Sequence, residues 1–206
     1  MNDRRPDPVM VIGATGTHGG AVARELLAAG YAVRALVRNP GSGRALSLRE
    51  TGAVLVTGDL DDRGSLVRAF HDVAVVYAVT TPFAGGAGEE ERQGDNIIAA
   101  AGRADLPWLL LASVAAADRA PVPHFASKAR IERGLRASAV PWTVIAPSYF
   151  FENVDGVAGA GDIRPGPDRP DPGAESRSGG HVRVPQRRRV RHRRAGVAEP
   201  LSGGRL

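Results

Sequence analysis

The stretch Val9-Met10-Val11-Ile12-Gly13-Ala14-Thr15-Gly16-Thr17-His18-Gly19 decides how the rest of the chain is read. Four apolar residues, three of them β-branched, spell a buried strand, and glycines at 13, 16 and 19 then break it. Beyond them Val22, Leu26 and Ala29 recur at helical spacing, with Gly30 as a stop. Strand, glycine turn and helix in that order make a site for a pyrophosphate. Gly13 permits the tight turn, Gly16 lets a phosphate approach the backbone, Gly19 allows helix to pack on strand, and the helix N-terminus offers N–H groups and a positive dipole end. Thr15 and Thr17 lie in the same turn, and His18 reads as a helix-start residue. A purely structural turn is the competing reading.

The same alternation runs outward from this turn. Strands are expected at Ala32 to Val37, Val54 to Val56, Val73 to Val79, Trp108 to Leu111 and Trp142 to Ile145. Between them, Asp61-Asp62 can start a helix carrying Leu66, Val67 and Phe70. Glu89-Glu90-Glu91 suit the start of a helix through Ile97 and Ile98, and Ile131 and Leu135 share a further helix face. Six strands alternating with five helices indicate an α/β fold, a doubly wound parallel sheet of Rossmann type. No internal repeat competes with it.

Composition divides the 206 residues at Asp155. Residues 1–155 carry 16 basic against 17 acidic side chains and all ten aromatics, whereas residues 156–206 carry 11 Arg against 5 acids, with 10 Gly and 6 Pro. A segment so poor in apolar residues cannot offset its chain entropy, so a disordered basic tail is expected after a single domain over 1–155. The absence of Cys excludes disulfides and thiolate-held metal, and no metal site is expected. No apolar run approaches the ~18 residues of a spanning helix, and Met1 to Pro8 is charged rather than signal-like, so a cytoplasmic protein without a membrane partner is expected.

The end of the second strand selects the cofactor. An NAD site usually carries an acid there for the ribose hydroxyls, but the sequence reads Leu36-Val37-Arg38-Asn39. The Arg38 guanidinium matches a 2′-phosphate, which favours NADP, with NADPH preferred over NADH. A solvated surface arginine is the alternative.

Several ordered motifs together resemble a known family. Gly13 to Gly19, Val33-Arg-Ala-Leu-Val-Arg-Asn-Pro40, Gly58-Asp-Leu-Asp-Asp62, Val79-Thr-Thr-Pro-Phe83, Pro123-His-Phe-Ala-Ser-Lys128 and Pro147-Ser-Tyr-Phe-Phe-Glu-Asn153 are similar to the NmrA-like group of atypical short-chain dehydrogenases. The resemblance covers about Val9 to Asn153. It implies that Gly13, Thr15, Gly16, Thr17 and Gly19 hold the pyrophosphate and Arg38 the 2′-phosphate. Asp59 and Leu60 would border the adenine, and Thr80 and Thr81 would line the path to the nicotinamide ribose. Asp59 reads equally well as a helix N-terminal acid.

The wider superfamily works with Ser, Tyr and Lys, the Tyr four residues before the Lys on one helix face. Ser113 and Lys128 occupy two of those places, and the third holds His124. The resemblance makes Ser113, His124 and Lys128 the candidate catalytic residues, with Lys128 also a candidate for orienting the ribose. His124 can serve as a general acid in place of Tyr, but Pro121 and Pro123 suggest a loop, where it is an incidental polar residue.

Family members continue into a smaller substrate subdomain, and no residue pattern after Gly156 resembles it. The run Gln186-Arg-Arg-Arg-Val-Arg-His-Arg-Arg194 has no aromatic partner for base stacking, so nucleic acid is not the expected ligand. With one Lys against 26 Arg, GC-rich coding DNA is implied, and an out-of-frame translation of the missing subdomain accounts for the tail; a native linker and a nucleic-acid arm are the other readings. The resemblance implies an NADPH-dependent reductase of a small acceptor such as a quinone or enone, truncated and lacking its lid. The other function it implies is an NADP-sensing regulator without turnover.

Overall fold

The computed structural model describes residues 7–83, 85–119 and 123–148. The Pro147 to Asn153 motif beyond Ser148 and the Arg-rich tail lie outside the described residues. Six strands, β1 (Val9–Ile12), β2 (Val33–Val37), β3 (Val54–Thr57), β4 (Val75–Val79), β5 (Leu109–Ala112) and β6 (Trp142–Ile145), alternate with five helices, α1 (Thr17–Ala28), α2 (Gly43–Glu50), α3 (Arg63–Ala69), α4 (Gly86–Arg103) and α5 (Pro123–Ala137). The strands form one parallel sheet in the order β3-β2-β1-β4-β5-β6, with Val9 paired to Val33 on one side and to Val75 on the other. The order reverses between β1 and β4, the point at which open α/β sheets leave a crevice beyond the strand ends. Both α/β character and doubly wound order agree with the sequence reading.

Alternation along β1 feeds two cores. Met10 and Ile12 face one side, packed with Leu66 and Phe70 of the α3 segment, Ile97 of α4, and Ile131 and Leu135 of α5. Val11 faces the other, with Ala23 of α1, Val33 and Ala35 of β2, and Leu48 of α2.

The helix starts differ in a way that bears on function. Ser42 caps α2 by accepting from the Ala45 N–H, and Asp62 caps α3 by accepting from the Ser65 N–H. Gly16, at the same position of α1, has no side chain with which to cap, and the first turn contains no acid. Gly13 enters the turn at φ +77°, where a Cβ would also meet Val79 Cγ1 at 2.5 Å. A Cβ on Gly19 would stand 2.4 Å from the Gly13 carbonyl oxygen, so glycine at both places lets α1 sit against the end of β1.

Two local expectations change. Pro123 opens α5 instead of extending a loop, because a first-turn residue needs no N–H donor and the ring already holds a helical φ; His124 therefore sits in the first turn of a helix. The Glu89-Glu90-Glu91 run does not act as one dipole-facing cluster. The helix begins at Gly86, Glu89 lies in its first turn, and Glu90 is completely buried.

Phe70, 1% exposed at the centre of the larger core, should cost about 3–5 kcal/mol when replaced by Ala, read as a lowered urea midpoint. Val54→Thr at a position 60% exposed should change stability by no more than about 0.5 kcal/mol in the same assay. Gly13→Ala should destabilise by more than the ~1–3 kcal/mol of left-handed strain alone, since Val79 must also move.

Candidate functional site

The carboxyl ends of the strands open into a cavity of about 820 Å³. Its floor is the β1–α1 turn, with Gly13, Thr15, Gly16, Thr17 and Gly19 all on its surface. No side chain caps the start of α1, so the turn presents a positive dipole end to the cavity. The neighbouring His18 is held against β4, its Nε2 hydrogen-bonded to the Tyr77 hydroxyl at 2.8 Å with the two rings edge to face. Burial pushes the Tyr77 phenol up, so it stays protonated beside the imidazole. His18 thus fixes the helix start, as the sequence suggests.

One end of the cavity is built from β2 and β3. Arg38, directly after β2, lines it together with Asp59 and Leu60. Asp59 does not cap α3, since Asp62 does; its carboxylate instead accepts from the Asp61 N–H at 3.0 Å and shapes the loop. Asp61 lies within the electrostatic reach of Arg38, and the Arg92 guanidinium hydrogen-bonded to it at 3.0 Å holds its carboxyl below the usual carboxylate range, with Gln93 and Arg38 adding to the effect. The loop is hung on α4: the Asn96 amide donates to the Leu60 carbonyl at 2.9 Å and accepts from Arg63.

The other end is built from β4, β5 and α5. Thr80 and Thr81 follow β4, Ser113 follows β5 and Lys128 projects from the second turn of α5, and all four line the cavity. Phe83 and Phe125 add apolar surface on the same wall. All twelve predicted site residues other than His124 therefore border one continuous space. The side chain of His124 lies outside the described residues.

Two buried carboxylates behind this end, Glu90 and Glu132, are not among the site residues the sequence suggests. Ser113 donates its hydroxyl proton to Glu132, which also pairs with Arg136 at 2.5 Å. Lys128 forms an ion pair with Glu90 at 2.7 Å, and Glu90 further accepts from Thr80 at 2.8 Å and from Ser127 at 2.5 Å. The pairing signal is weak in sequence. Glu132 lies four residues past Lys128 on the same helix, but Glu90 and Lys128 meet only through tertiary packing.

Comparison with known proteins places this architecture. The chain is 33% identical over 162 residues to a (4-alkanoyl-5-oxo-2,5-dihydrofuran-3-yl)methyl phosphate reductase of Streptomyces griseus, a match that covers 76% of this chain and 54% of the relative. Among solved structures, an NADPH-dependent quinone oxidoreductase of Escherichia coli complexed with NADPH superposes with a TM-score of 0.66 at 26% identity, covering 74% of this chain and 53% of that one. A triphenylmethane reductase of Citrobacter sp. complexed with NADP(H) gives 0.64 at 25% identity over 75% and 55%. The chain spans about half the length of the curated relatives it matches. Among the described residues no helix is long and apolar enough to cross a membrane. The model of the NmrA-like family matches residues 6–169, past Asn153 where the sequence motifs end, and with that match and the shared parallel sheet the chain belongs to the NmrA-like family.

Proposed function

We propose that the cavity binds NADPH in preference to NADH and that the whole protein reduces a small conjugated acceptor, of the quinone or enone class. The observation that carries this reading is the joining of three features in one space: the uncapped α1 start, Arg38 at the end of β2, and Lys128 with Ser113 at the opposite end. The first fits a pyrophosphate and the second a 2′-phosphate, while the third leaves the nicotinamide beside β4 and β5. Gly13 and Gly19 supply the fit, because a Cβ at Gly13 would meet Val79 and a Cβ at Gly19 would meet the Gly13 carbonyl, and either would push the start of α1 away from the end of β1. The relatives named above are reductases, and the two solved ones hold NADPH or NADP(H).

When bound, the cofactor supplies the hydride. The protein's part is orientation. The α1 start with Thr17 and Gly19 would hold the phosphates, Arg38 would anchor the adenosine end, and the Thr80-Thr81-Pro82 segment would border the nicotinamide end. Ser113 spends its one proton on Glu132 and so offers lone pairs, not a donor, to the cavity. That favours acceptors whose reduced forms can take a proton from water, as quinones do, over isolated ketones that need a positioned acid.

The same geometry gives specific support to a second reading, a regulator that binds NADP(H) without turnover: His124 replaces the superfamily's Tyr, and Ser113 has no proton to give. Sustained NADPH oxidation with a quinone supports the reductase; tight binding with no oxidation across quinones and enones supports the sensor.

Arg38→Ala should raise the Kd for NADPH by about 10–100-fold, the range of a lost charge-assisted contact, and leave NADH binding nearly unchanged. Titrating nicotinamide fluorescence in both variants checks it. Equal losses for the two cofactors would return Arg38 to the surface-charge reading.

A further inference from the structure

The Lys128 ammonium has three protons, and all three are engaged by the protein: Glu90 Oε1 at 2.7 Å, the Thr80 carbonyl at 2.6 Å and Thr80 Oγ1 at 3.0 Å. Glu90 has no solvent exposure, and both of its oxygens are bound by the protein. Oε1 takes Lys128 and the Thr80 hydroxyl, and Oε2 takes the Ser127 hydroxyl. A carboxylate in such a place is tolerable only because each oxygen is hydrogen-bonded and a cation is in contact.

A glycine makes the arrangement possible. Gly94 stands one turn after Glu90 on α4, and Ile131 one turn after Ser127 on α5. A Cβ on Gly94 would lie 2.5 Å from Ile131 Cγ1, so the two helices approach as closely as they do because that atom is missing. The close approach sets Glu90 against Ser127 and Lys128 and seals the carboxylate from water.

We propose that Glu90 is the positioning residue of the nicotinamide end: its buried carboxylate, locked by Thr80 and Ser127, holds the Lys128 ammonium fixed against the end of β4. Lys128 then offers the cavity a fixed positive charge and no spare proton. A ribose hydroxyl that binds it must displace Thr80 Oγ1, the longest of the three contacts. The proposal rests on the cofactor reading for what Lys128 faces, but not for the Glu90–Lys128 link itself.

Lys128 is the sole lysine of the chain, so its reactivity can be followed without interference from other side chains. The full chain and its Glu90→Gln variant are treated with acetic anhydride at neutral pH, and acetylation of Lys128 is timed by mass spectrometry with the N-terminal amine as internal reference. Glu90→Gln removes the ion-pair contact that ties the amine to the scaffold, so Lys128 should be acetylated at least about tenfold faster in the variant. The NADPH Kd of that variant should rise about tenfold, and Glu90→Gln/Lys128→Met should bind no more weakly than Lys128→Met alone.

Unchanged acetylation in a folded Glu90→Gln chain that still binds NADPH overturns the positioning role and leaves the cofactor reading intact. Faster acetylation with no NADPH binding even by the unsubstituted chain upholds the Glu90–Lys128 link and overturns the cofactor reading. If Glu90→Gln alone does not fold, the double variant should fold, because it leaves no unpaired buried charge. A double variant that also fails to fold overturns the proposal.

Discussion

The contact between Gly13 and Gly19 is the constraint on which the rest of the site depends. With no side chain between them, the first turn of α1 rests directly on the end of β1, where the strand order reverses and the crevice opens. Helices α2 and α3 close their N-termini with Ser42 and Asp62, whereas α1, behind Gly16, and α4, behind Gly85, start without a side-chain cap; of these two, α4 carries Glu89 in its first turn and α1 carries no acid. Every other feature of the cavity is arranged relative to that turn: Arg38 beyond β2 on one side, the Thr80 segment beyond β4 on the other.

The two ends of the cavity are stabilised by different physics. At the β2–β3 end, charges are exposed and paired loosely around Asp61, where solvent screens them. At the β4–β5 end, Glu90 and Glu132 are buried, and each takes one of the two residues, Lys128 and Ser113, that match the superfamily's Lys and Ser in sequence. Ser113 and Lys128 are thereby committed to the scaffold as well as to the site. The first end suits a ligand whose own charge supplies much of the binding, and the second suits an uncharged ring whose orientation matters more than its affinity.

Much of this was legible in the sequence because its signals are local. The β1–α1 turn declares itself in eleven consecutive residues, Gly30 stops α1 with φ +83° as its place in the pattern suggests, and Asp62 caps α3. Strand ends shift by a residue or two, as with Val73 to Val79, which narrows to Val75–Val79 where pairing with β1 begins. α2 could be counted but not located, since only Ala45 and Leu48 are buried and a helix so exposed has little apolar periodicity to show. Pro123 misled because the residue that ends helices internally is harmless at their start. Glu90 was read by its neighbours in sequence, two other acids, while its true partner stands 38 residues away on α5.

Helix α4 touches both ends of the cavity. Arg92, Gln93 and Asn96 hold the β3–α3 loop, and Glu90, on the same rigid rod, holds Lys128 through a seam with α5 that Gly94 keeps tight. Asn96 and Glu90 are about 9 Å apart along the helix axis at 1.5 Å per residue. A rod of that length does not bend to absorb a small displacement at one end. A displacement of the β3–α3 loop is therefore passed along α4 to the lysine, and under the proposed cofactor reading the grip on one half of a dinucleotide and the aim of the other half become a single mechanical variable.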